Sequence, residues 1–89
     1  MALRILDSPS DPAAISRRLH DAIAAAIPGA HIEVAAAGPG HFELRVTSPE
    51  FAGQPKLRQH QRVYAAIALL MSGDAPPVHA IDRLECRVP

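Results

Sequence analysis

The run from Ser48 to Tyr64, SPEFAGQPKLRQHQRVY, does most to limit what this chain can fold into. Ser48-Pro49 ends strand pairing because proline has no N–H to donate, Gly53 permits a positive φ, and Pro55 suits the first turn of a helix beginning near Lys56. The stretch predicts a strand, a compact turn and a helix. The helix opens with Lys56, Arg58, His60 and Arg62, and no acidic residue occurs between Glu50 and Asp74, so its start is the most cationic surface expected.

Periodicity extends this pattern in both directions. Residues 1–10 show little order beyond Leu3, Ile5 and Leu6 and read as a flexible lead-in to a single domain over 11–89. Asp11 is placed as an N-cap before Pro12. Ile15, Leu19, Ala22, Ile23, Ala26 and Ile27 then recur at helical spacing until Pro28-Gly29. Two alternating runs follow: Ile32, Val34 and Ala36 oppose His31, Glu33 and Ala35, and Phe42, Leu44 and Val46 oppose His41, Glu43, Arg45 and Thr47. The intervening Ala37-Gly38-Pro39-Gly40 makes them a β-hairpin, with Glu33 and Arg45 set to pair on its wet face. The helix from Lys56 to about Met71 draws its apolar face from Leu57, Val63, Tyr64, Ile67, Leu70 and Met71, with His60 at the border. In the last strand, Val78 to Val88, Ile81 is out of phase with Leu84, Cys86 and Val88. An extra residue near Asp82 or Arg83 would restore one inward face, so a β-bulge is expected there.

Size and charge exclude several functions. A chain of 89 residues buries roughly 60% of its unfolded surface, enough for one thin core. Two Phe, one Tyr and no Trp make a roomy aromatic pocket implausible. Nine basic residues balance nine acidic ones, so no overall field draws the chain to nucleic acid or membrane. The lone Cys86 excludes an intramolecular disulfide or CxxC site and reads as a small core residue. Without a signal peptide or an apolar run of about 20 residues, a soluble cytoplasmic protein is expected. No nucleophile beside a base and no convergent carboxylates are visible, so an enzyme is not expected.

The strand from Phe42 to Thr47 with Ser48, Phe51 and Gly53, then His60, Val63-Tyr64 and finally Val78-His79-Ala80-Ile81, resembles the BolA-like family over about Ile15 to Val88. The resemblance implies an α/β sandwich in the order α-β-β-α-β, similar to a class II KH domain, with helices on one face of a mixed three-stranded sheet. It also implies a transcription or stress regulator, or a partner of monothiol glutaredoxins that shares a [2Fe-2S] cluster. His79 occupies the position of the family's cluster ligand. A second ligand, His or Cys, is implied in the loop between the first two strands, where this chain has only Ala37-Gly38-Pro39-Gly40. Such a site would keep a single protein donor here. The family's Arg-His-Arg becomes Gln59-His60-Gln61, flanked by Arg58 and Arg62.

Two readings stand. In the first, a monomeric, non-enzymatic adaptor docks a monothiol glutaredoxin with His79 at the contact and the basic helix start on the same exposed rim. In the second, a KH-like regulator touches DNA or RNA through Lys56, Arg58, His60 and Arg62.

Overall fold

A computed structural model describes residues 11–89; the lead-in expected over 1–10 lies outside them. The described chain runs α1 (Pro12–Ala26), β1 (His31–Ala36), β2 (His41–Thr47), α2 (Lys56–Ile67) and β3 (Ala80–Arg87), with one 3-10 turn at Pro49–Phe51 and another, Ala68–Met71, continuing α2. The sheet has the order β1-β2-β3. β1 and β2 pair antiparallel through the hairpin, and β3 returns parallel to β2 after α2 has crossed the sheet. No helix among the described residues is long and apolar enough to cross a membrane.

Local chemistry explains the elements. The Asp11 carboxylate accepts the Ala13 N–H at 3.2 Å, and Pro12 fills the first helical position, satisfying a donor that the first turn leaves free. After β2, Ser48 Oγ accepts the Glu50 N–H at 3.0 Å and starts the 3-10 turn. Gly53 has φ +75, a backbone shape that a side chain would resist. Pro55 sits at the N-cap of α2, one position ahead of the expected site.

One face of the sheet packs against both helices. Ile15, Leu19, Ile23 and Ile27 of the first helical region meet Phe42, Leu44 and Val46 of β2 and Val63 and Ile67 of α2, closed by Phe51, Leu70, Val78 and Cys86. Ala22 is half-buried and Ala26 exposed, because the stripe is narrow enough for the isoleucines and leucine to fill it.

The bulge falls where the phase required it. Phe42 pairs with Ile81 and Glu43 with Arg83, leaving Asp82 as the extra residue. Ile81, Leu84 and Cys86 thereby turn towards the core. Val88 does not join them: β3 ends at Arg87 and Val88 is 50% exposed. In β1, Ile32 is buried and Val34 half-buried, but Ala36 lies at the uncovered hairpin end and is exposed.

α2 differs most from its expected face. Leu57 and Tyr64 are 69% and 40% exposed, and Gln59 is buried in their place at 7%. Only Val63 and Ile67, one turn apart, point straight at the sheet. Tyr64 stands about 100° around the helix from Val63, and Leu57, two turns before Tyr64, stands about 120° around on the same side, so both fall on one flank that the sheet leaves uncovered.

Candidate functional site

His79 stands immediately before β3, beside the hairpin turn. Its N–H donates to the Gly40 carbonyl at 2.8 Å, and the Ala80 N–H shares that oxygen at 3.2 Å. Gly40 has φ +75, and a Cβ placed there would lie 2.7 Å from both Cγ and Nδ1 of His79. The imidazole therefore rests on bare glycine backbone. It is exposed, and neither ring nitrogen has a protein hydrogen-bond partner among the described residues. A ring held by packing yet chemically unsatisfied has both nitrogens free to bond an outside group.

Nearby donors do not converge with it. His41 pairs with Ala80 in the sheet, but its Nδ1 meets the Asp82 carboxylate at 2.9 Å. It belongs with Glu43 and Arg45 on the uncovered face, whereas Gly40 alternates with Phe42 on the helix-covered side. His31 lies at the other end of the hairpin, opposite Thr47, and bonds Glu33 at 3.2 Å. No group of three or more His, Cys, Asp or Glu forms a metal cage among the described residues. The rim thus offers one imidazole donor, which does not fit the two-ligand half of a shared cluster that the family resemblance implies.

Half of the cationic tip of α2 is committed to the protein itself. Lys56 Nζ donates to the Cys86 carbonyl at 2.6 Å, capping the free edge of β3. Arg62 is paired with Glu50. Gln59 Nε2 donates to the carbonyls of Phe51 and Gln54 at 3.1 and 2.9 Å, tying the turn to the helix, while its Oε1 is buried without a partner. Arg58 is exposed and His60 half-buried, and neither side chain bonds another described residue. Of the four side chains expected to form one basic surface, two are engaged internally.

The rim expected to join this tip to His79 is divided. Lys56 meets β3 at Cys86, seven residues beyond His79, which is roughly 20 Å along a strand. At the other end, the Val78 N–H donates to the Leu70 carbonyl at 3.1 Å, just after α2. α2 therefore runs back along β3, with its basic start at the strand's finish and its last turn beside His79.

The uncovered sheet face carries a charge lattice. Arg45 on the middle strand donates through Nε to Glu85 at 2.7 Å and through Nη1 to Glu33 at 3.1 Å, as the Glu33–Arg45 pairing anticipated. Arg83 and Arg87 each approach Glu85 at 3.3 Å. The bond from Arg45, helped by the charges of Arg87 and Arg83, holds the Glu85 carboxyl below the usual carboxylate range, and the same bond pushes the Arg45 guanidinium up. The two Arg45 pairs cross between strands and the Arg83 and Arg87 pairs run along β3, and all lie on the solvated face. Cys86 is 1% exposed, and burial pushes its thiol up, only partly opposed by Lys56. It is a packed core thiol.

Sequence reasoning singled out His79 but missed Gly40 as its seat, Arg18 as a residue lining the same surface cleft and Asp82 as the partner of His41. The Gly-Pro-Gly run and the phase slip were the available signals; the pairing of Gly40 with His79 arises only once β3 lies beside β2.

Comparison with known proteins accords with this architecture. A crystal structure of a bol-like protein from Babesia bovis superposes with a TM-score of 0.64 at 22% identity, covering 83% of this chain and 84% of that one. An NMR structure of a BolA-like hypothetical protein from Rickettsia prowazekii gives a TM-score of 0.61 at 16% identity, covering 100% and 99%. A search of curated proteins finds no match. The model of the BolA-like protein family matches residues 17–87, from α1 to the end of β3, and the chain belongs to the BolA-like family.

Proposed function

We propose that this BolA-like chain is a non-enzymatic adaptor or regulator that docks a monothiol glutaredoxin through the His79 end of β3. The observation that carries the reading is an imidazole seated on Gly40, exposed and with no hydrogen-bond partner among the described residues. A side chain immobilised before binding loses little entropy on contact. The rim supplies one donor, so docking does not depend on a shared [2Fe-2S] cluster, and the apo partner is the appropriate probe.

Titrating the ¹⁵N-labelled chain with an apo monothiol glutaredoxin should shift the amides of Gly40, His79 and Ala80, and His79→Ala should weaken the complex about tenfold or more. Arg58→Glu, at the opposite end of β3, should leave the affinity within about twofold. Shifts confined to the α2 start, or an unchanged affinity in His79→Ala, would reject this reading.

The alternative KH-like regulator uses Lys56, Arg58, His60 and Arg62 on DNA or RNA. It is less favoured because Lys56 and Arg62 must release Cys86 and Glu50 before either can reach a phosphate.

A further inference from the structure

Beside His79 a cleft of about 400 Å³ opens between the start of α1, the hairpin turn and the segment leading into β3. Two of its lining side chains are basic: Arg18 from α1 and His79. Ile15, Pro39, Pro76 and Pro77 supply apolar walls, and no carboxylate lines it among the described residues. Arg18 is exposed and, like His79, has no ion-pair or hydrogen-bond partner among those residues. This sets it apart from Arg45, Arg62, Arg83 and Arg87, all of which pair with carboxylates.

We infer that this cleft binds a carboxylate carried on a short apolar stem. A guanidinium presents a forked donor array that matches the two oxygens of a carboxylate, and an imidazole adds a further N–H in either tautomer. The walls of the cleft decide between a bare anion and one with a hydrocarbon body. Three prolines have fixed φ angles, so the apolar surface is preformed and a methylene stem laid on it displaces water at little conformational cost. His79 is held in line by Gly40, where any side chain would meet its ring. The carboxylate has two sources, a free small molecule or an acidic side chain of a docked protein. The cleft stands whether or not a glutaredoxin is the partner.

The test is a titration of the ¹⁵N-labelled full chain with butyrate, its uncharged isostere butyramide serving as the control. Butyrate should shift the amides of Gly40, Ala75 and His79 saturably, with a Kd on the order of millimolar for so small a ligand. Arg18→Gln, at an exposed position that leaves the fold intact, should weaken it about tenfold or more, and His79→Gln should weaken it less. Equal shifts with butyramide, no saturable shift with butyrate, or an unchanged affinity in Arg18→Gln would overturn the inference. Repeating the glutaredoxin titration with Arg18→Gln separates the sources: weaker docking assigns the carboxylate to the partner, and unchanged docking assigns it to a free ligand. Butyrate binding without any glutaredoxin docking would remove the adaptor reading and leave the cleft in place.

Discussion

The absence of one carbon atom at Gly40 decides where His79 can lie. A Cβ there would come within 2.7 Å of the imidazole, against backbone already at φ +75, so alanine both strains the turn and expels the ring. Gly40→Ala should destabilise the fold by about 1–3 kcal/mol in urea titration and move the His79 ring resonances, with the Gly53 region unaffected. A variant with wild-type stability and unmoved His79 resonances would show that the ring does not rest there. The same logic explains Gln59. Its amide is buried because it closes two turn carbonyls, an arrangement in which an arginine's charge would have to be buried as well. Gln59 is thus a packing residue on the covered side of α2, at a position where a cation would not face solvent.

Elements were legible wherever the pattern depends on near neighbours. The N-cap at Asp11, the alternation of β2 and the need for an extra residue in β3 follow from backbone periodicity and single side chains. α2 was read less well, because hydrophobicity alone assigned Leu57 and Tyr64 to the core. How wide a stripe the sheet covers depends on the approach of the helix, which no local pattern encodes. The bulge yields a sharp expectation. Deleting Asp82 would make the Phe42–Ile81 and Glu43–Arg83 pairings consecutive and lose an exposed His41–Asp82 contact worth about 0–1 kcal/mol, so the protein should fold with its core intact. Deleting Glu85 instead turns Cys86 outward and Arg87 inward, and should cost more than about 3 kcal/mol. Thermal melts of the two deletions decide the matter; equal losses would mean that Asp82 is not the extra residue.

Across the whole molecule, the crossover from β2 through α2 to the parallel β3 sets which surfaces meet. It buries Cys86 against α2 and the sheet, where burial pushes the thiol up. A thiol reagent should therefore label Cys86 on the order of a hundredfold or more slowly in the native state than in urea, since reaction requires opening of the core. Because the folded value lies above the unfolded one, the stability linked to this thiol is fully present below the ordinary thiol range and is lost as pH rises through the raised value. Denaturation midpoints that stay flat across that alkaline range, or rapid native labelling, would contradict the buried placement. The sequence by itself determined the order of helices and strands, the inward face of β2 and the bulge in β3. Each of these is a property of neighbouring residues and of the period of the backbone. Only the tertiary structure decided that Lys56 would cap Cys86, that Arg62 would meet Glu50 and that the basic tip would lie a strand's length from His79. A helix joining two parallel strands must run back along the sheet, so its start and the next strand's start fall at opposite ends however close they stand in the chain.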